Sequence, residues 1–229
     1  ERHPAPAPGP ALELVASAHA AAAAILAATV ASLSATRHRP IRQRRITHED
    51  LPLTLAVGES GRVGIDRLAA AAAAKVLKPA RCPAVIVDCG TATTVGVLDA
   101  AGTFLGGAIL PGPTLMARSL SDGTSRLPDI DRFDWDHVPA MPGTTTEEAI
   151  RAGIGLGIRG AVMHLVQASR ATLAASVVES GESSTPPVEP VCFLTGGSRS
   201  AIRESLPGAV EVPDLVLAGI ALAAAHSAA

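Results

Sequence analysis

Residues 84–94 read AVIVDCGTATT, and the fold follows from how this stretch is understood. Ala84 to Val87 is an unbroken apolar run, as expected of a strand buried on both faces. Asp88 then stands at its C-terminal end, and Cys89 to Thr94 reads as a turn of Gly and Thr. Val95 to Leu98 gives a second strand, Asp99-Ala-Ala-Gly102 a hairpin turn, and Thr103 to Leu110 a third strand ending at Pro111-Gly112. A carboxylate at the end of a buried strand, with Gly90 beside it and Thr91, Thr93 and Thr94 as short donors, suits a phosphate or a cation. The plainer alternative is a hairpin entry that carries threonines on its faces.

Towards the N-terminus, Asp66 to Leu77 is expected to be a helix, with the loop Gly58 to Gly64 ahead of it. Leu51 to Val57 reads as extended, Pro40 to Thr47 as an edge strand with its arginines in water, and Ala18 to Ala35 as an alanine-rich helix. Ala11 to Ala16 reads as a short strand, and residues 1–10 as a flexible Pro-rich segment. Towards the C-terminus, Thr114 to Leu120 is helical and Ser121 to Gly143 irregular. A long helix runs from Thr146 to about Ala175, and Ser180 to Pro190 is a surface loop. The strand Val191 to Leu194, a short helix, the strand Ala209 to Val212 and a helix from Asp214 complete an α/β chain.

Composition narrows the function classes. The chain has 229 residues, 48% of them hydrophobic and 2% aromatic, with a formal net charge of −2. That balance speaks against a nucleic-acid or acidic-membrane partner, and the core has to be built from Ala, Val, Leu and Ile. Cys82, Cys89 and Cys192 form no CxxC pair, which points to reduced thiols and a cytoplasmic setting. The seven histidines show no metal-ligand spacing. Ala20 to Val30, the longest apolar run, falls short of the ~20 residues of a membrane span and lacks the flanks of a signal peptide, so the expectation is a soluble protein. Residue 1 is Glu rather than Met, so the chain is expected to be processed, trimmed or a fragment.

Three further stretches offer chemistry beside a bland reading. Thr195-Gly196-Gly197 follows a strand and leads into a helix, a place where backbone N–H groups cradle a nucleotide or simply turn the chain. Gly64-Ile65-Asp66-Arg67 sets a general-base candidate beside a carboxylate-binding guanidinium, or else Asp66 only caps its helix. Thr144/Glu147 and Thr145/Glu148 both have capping-box spacing. Beyond them Gly153, Gly157 and Ala161 recur every four residues, a small-residue stripe suited to close packing, including across a subunit interface.

Taken in order, the motifs resemble those of type III pantothenate kinases, in the actin/sugar-kinase/Hsp70-like group. They are VASAH at Val15, GIDR at 64–67, DCGTATT at 88–94, GGAILPG at 106–112, TSRLP at 124–128, GTTTEEAIRAG at 143–153, LTGG at 194–197 and PDLVLAGIAL at 213–222. The resemblance implies an actin-like (ribonuclease H-like) two-lobed α/β fold whose N-terminal lobe is truncated, with a partial lobe over 11–80 and a C-terminal lobe over 81–229. It implies ATP-dependent phosphorylation of pantothenate, with Mg²⁺ and K⁺ or NH₄⁺, in a cytoplasmic homodimer whose substrate site lies at the dimer interface. It makes Asp66 the base, Gly64, Ile65, Asp66, Arg67 and Thr146 the pantothenate contacts, Thr91, Gly90, Gly196 and Gly197 the nucleotide contacts, and Asp88 the holder of the monovalent cation. Departures from the pattern stand at Val57 and Ser60, where Tyr and Pro are usual, at Gly96 in place of Asp, and at Ala218 in place of Glu. The Asp-x-Gly-Asn phosphate hairpin with which the family opens is not found in this sequence, and for an active enzyme the expectation is that it lies upstream of Glu1. The alternative is a catalytically impaired relative that binds a ligand or serves as an accessory or regulatory protein.

Overall fold

The computed structural model describes residues 11–15, 41–130, 137–179 and 188–226. The segment 1–10, the helix expected over 18–35 and most of the loop expected over 180–190 lie outside the described residues.

Two sheets are present among them. Strand β1 (Ala11–Val15) pairs in parallel with β2 (Ile41–Arg45). The larger sheet is built on β4 (Ala84–Cys89), β5 (Ala92–Leu98) and β6 (Thr103–Pro111). Its order is β3-β6-β5-β4-β7-β8, where β3 is Thr54–Leu55, β7 is Val191–Thr195 and β8 is Val210–Glu211. Only β5 runs antiparallel to its neighbours; β3 and β6, β4 and β7, and β7 and β8 are parallel pairs.

Among the described residues the expected elements are found, with boundaries moved by pairing. Strand pairing continues through Cys89↔Thr93, so the turn expected over Cys89 to Thr94 shrinks to Gly90 and Thr91. The extended stretch expected over Leu51 to Val57 forms a ladder at Thr54–Leu55, and Ala56 N–H also donates to the Phe104 carbonyl of β6 at 2.9 Å. The Asp99–Gly102 turn is as expected: Thr103 N–H donates to Asp99 Oδ1 at 2.7 Å, and Gly102 takes φ +84°.

Alternation along the strands builds two cores, one per face. Val85, Val87, Cys89, Val95, Val97 and Leu194 face helix α3 (Thr146–Glu179) through its Ile154, Ile158 and Val162. Ala84, Ile86, Leu98, Phe104 and Phe193 face α1 (Ile65–Leu77) and α5 (Leu215–His226). Helix α1 lies between sheet and α5, which is why six consecutive alanines, Ala69 to Ala74, are all buried. At the α1–α5 crossing a Cβ on Gly219 would stand 1.9 Å from the Ala69 carbonyl oxygen, so only glycine permits this approach.

Helix α2 (Pro113–Gly123) extends into the stretch read as irregular, and α3 continues past Ala175 to Glu179. A short α4 (Ser200–Arg203) follows β7. By length and composition α3 is apolar enough to cross a membrane, with 39% of its apolar window buried. Its buried Ile150, Ile154, Ile158, Val162 and Val166 belong to a core cluster shared with the sheet, which accounts for that hydropathy without a bilayer. In the stripe of Gly153, Gly157 and Ala161, a Cβ on either glycine would meet nothing within 4 Å, so tight packing at these glycines is not supplied by the described residues.

Candidate functional site

Strand alternation places Asp88 on the same face as Ala84 and Ile86, the face that α1 covers. Asp66 sits in the first turn of α1 and Asp88 one residue before the end of β4, and the packing brings the two carboxylates within electrostatic reach. Burial pushes the Asp88 carboxyl above the usual range, and the Asp66 charge adds to the rise. The reading of Asp66 as a helix cap is corrected: Gly64 occupies the N-cap, and Asp66 Oδ1 accepts from the Arg67 backbone N–H at 2.9 Å. Gly64 is required by crowding, since a Cβ there would meet Asp66 Oδ1 at 2.5 Å.

Two glycine turns close on the same strand end. Gly196 takes φ +95°, and a Cβ on it would lie 2.5 Å from both Asp88 Oδ1 and the Cys89 carbonyl oxygen. Ser198 N–H donates to that Cys89 oxygen at 2.8 Å, tying the 196–198 turn to β4. Thr195, whose hydroxyl donates to the Pro213 carbonyl at 3.0 Å, is buried and structural. On the other side, Gly112 N–H donates to the Thr91 carbonyl at 2.9 Å, and a Cβ on Gly112 would stand 2.1 Å from the Gly90 oxygen. Asp88, Gly90 and Gly196 are therefore neighbours, with Asp66 near Asp88 and Thr91 exposed at the turn. Gly197 is exposed with open space around it.

Arg67 is half-buried. Burial pushes its guanidinium down from the ordinary value, against the neighbouring Asp66 charge. Its Cζ lies 5.7 Å from the centroid of the Phe104 ring. Thr146, by contrast, is exposed at the first residue of α3. Among its neighbours one capping box forms, not two. Glu148 accepts from Thr144 N–H at 2.8 Å and Thr145 N–H at 3.1 Å, and Glu148 N–H donates back to Thr145 Oγ1 at 3.1 Å. Glu147 instead takes Arg151 one turn on, since i, i+4 geometry serves it better than the cap. The thiols of Cys89 and Cys192 lie inside the sheet core, where burial raises both, Cys192 to about 11.

Two contributors were not singled out from the sequence. Gly112 had a signal, the Pro-Gly pair closing a strand, whereas Phe104 had none, because its neighbours Arg67 and Gly96 arrive from distant elements. No group of three or more His, Cys, Asp or Glu suited to a metal occurs among the described residues.

The fold and site together define an α/β protein with a mixed sheet and an acidic, glycine-lined strand end. A family model described as type III pantothenate kinase matches residues 11–168. The type III pantothenate kinase of Rhodopirellula baltica is 36% identical over 186 residues, covering 77% of this chain and 59% of that protein. The type III pantothenate kinase of Alkalilimnicola ehrlichii is 39% identical over 167 residues, covering 72% and 60%. The chain belongs to the type III pantothenate kinase family. It spans about three fifths of the length of these curated relatives. A crystal structure described as a Baf family transcriptional activator from Campylobacter jejuni has a similar fold, with a TM-score of 0.52 at 18% identity over 82% of this chain and 83% of that one.

Proposed function

We propose that this chain carries the acceptor side and much of the donor side of a pantothenate kinase. The γ-phosphoryl group of ATP passes to the primary hydroxyl of pantothenate, the first step of coenzyme A synthesis. In this reading the hydroxyl oxygen forms the new P–O bond, the bond to the ADP oxygen breaks, and the hydroxyl proton goes to Asp66. Gly64, Ile65, Arg67 and Thr146 hold pantothenate, with the Arg67 guanidinium matched to its carboxylate. Gly90, Thr91, Gly196 and Gly197 line the nucleotide side, where glycines let phosphates approach the backbone.

The observation that carries the proposal is the Asp66–Asp88 pair. Asp88 has no hydrogen-bond donor among the described residues, its carboxyl is raised by burial and by Asp66, and the glycine turn at Gly196 brings backbone without a side chain up to its Oδ1. A carboxylate left without a partner in such a place fits a cation, and Asp88 would hold K⁺ or NH₄⁺. Bound Mg²⁺ and the monovalent cation would neutralise phosphate charge.

For the fold we propose an actin-like, two-lobed arrangement with a truncated first lobe, divided near residue 80. Two observations support it: β1 and β2 form a sheet of their own, and α1 and α5 form a helical layer over the larger sheet. The open stripe at Gly153 and Gly157, beside exposed Leu156 and Met163, supports a homodimer through α3. A cytoplasmic location follows from the same family reading.

A second reading, an impaired relative acting through binding, is favoured by Val57. Its side chain lies near Gly106 at the position where the resemblance expects a substrate-contacting Tyr. One assay separates the two. The protein, alone and joined to any upstream residues of its reading frame, is incubated with ATP, Mg²⁺, K⁺ and pantothenate. Formation of phosphopantothenate is expected; a folded protein that makes none in either form sinks the kinase reading.

A further inference from the structure

The Arg67 guanidinium has an unusual setting. Its Nε is buried with no hydrogen-bond partner, and no hydrogen bond joins the guanidinium to any described residue. Asp66, next to it, spends Oδ1 on the Arg67 backbone N–H rather than on the guanidinium. What lies against the guanidinium is the ring of Phe104, 5.7 Å away at its centroid. An aromatic face attracts a cation through its quadrupole yet takes none of its N–H donors, so the fork stays free for an anion.

The sheet puts the ring there by two devices. Between Val97 and Leu98 the β5–β6 register shifts, with Val97 opposite Gly106 and Leu98 opposite Phe104. Leu105 is thus the extra residue of a bulge, which re-aims the strand where Phe104 leaves it. Phe104 is fully buried, and a Cβ on Gly96 of the adjacent strand would stand 3.2 Å from its Cε2. The absence of a side chain at Gly96 is what gives the ring its place.

We propose that Phe104, seated against Gly96, is a positioning residue that presents the Arg67 guanidinium with its donors unspent, so that this site selects acceptors bearing a carboxylate. The inference rests on the pantothenate reading above and deepens it: the acceptor's acid group is read by Arg67 through a platform that uses up none of its hydrogen bonds. A lysine-like point charge, or an arginine bonded within the protein, would lack the free planar fork that matches a carboxylate.

The test is calorimetric binding of pantothenate and of pantothenol, its neutral alcohol analogue, to the 229-residue protein and its variants. Wild type is expected to prefer pantothenate. Phe104→Leu is expected to weaken pantothenate about fivefold, the scale of a partly desolvated cation–π contact, and to leave pantothenol within twofold. Phe193→Leu, the same change in the same core but not beneath Arg67, is expected to change the preference by less than twofold. Should Phe104→Leu fail to fold by circular dichroism, Gly96→Ala keeps the ring and displaces it by a few tenths of an ångström, and a smaller loss of preference is expected. Wild type that binds pantothenate while Phe104→Leu or its substitute keeps the full preference overturns the proposal alone. Equal losses in Phe104→Leu and Phe193→Leu also overturn it, because the effect is then a general weakening of the core. A wild-type protein that binds neither ligand overturns both the proposal and the pantothenate reading beneath it.

Discussion

Residues 88–94, DCGTATT, and 143–149, GTTTEEA, use nearly the same chemistry: carboxylates, one glycine and three threonines each. Their carboxylates end in opposite states. Glu148 is surrounded by donors, and the Thr144 hydroxyl, foremost among them, holds it below the usual carboxylate range. Asp88 receives no such bond, and burial with the Asp66 charge drives it up. A satisfied carboxylate at a helix start secures the chain, whereas an unsatisfied one at a strand end is poised for a ligand. Residue type does not separate the two; the hydrogen bonds that surround Glu148 and do not reach Asp88 among the described residues do.

The largest expected effect tests the unsatisfied side. Asp66→Asn should lower kcat by at least about 100-fold, the usual worth of a positioned general base, with no loss of thermal midpoint, because Asp66 is exposed, the amide oxygen can still accept from Arg67 N–H and the repulsion of Asp88 is relieved. Steady-state rates together with a melting curve decide it, and near-normal turnover would remove Asp66 from its role.

Asp88→Asn should sharpen the contrast through pH. A folded-state pKa raised above the unfolded one means that Asp88 costs stability once the pH climbs past the ordinary carboxylate value. The asparagine variant should therefore melt roughly a few degrees higher at neutral pH in K⁺-free buffer, and no higher under acid conditions where both forms are protonated. Any stabilisation by K⁺ should vanish with it. A variant melting below wild type at neutral pH would show that Asp88 is a satisfied structural group after all.

The smallest effect comes from the cap. Thr145→Ala removes the hydroxyl that accepts from Glu148 N–H and should cost about 1 kcal/mol in denaturant unfolding, with catalysis unaffected. The Glu148 contribution has the opposite pH sign. Its lowered folded pKa gives stability that is present above the ordinary carboxylate range and is lost as pH falls through the folded value. Equal melting curves for Thr145→Ala and wild type would dissolve the comparison.

Local pattern made much of this legible. The strands around Asp88, the hairpin at Asp99–Gly102, helix α1 and the long α3 follow from apolar runs, turn residues and capping spacing, all short-range properties. The double capping box was overread, since only geometry shows that Glu147 belongs to Arg151. Asp66 was equally ambiguous as cap or base until Gly64 was found in the cap position.

By itself the sequence determined the α/β order, the family and the residues worth watching around Asp66, Asp88 and Gly196, because motif order and hydrophobic period are written along the chain. Only the tertiary structure decided which carboxylate goes unpartnered, that α1 brings Asp66 to Asp88, and that Phe104 lies against Arg67 in the space left at Gly96. These relations join residues from separate elements. Pairing register and burial create them, and neither is a property of a residue or its neighbours in sequence.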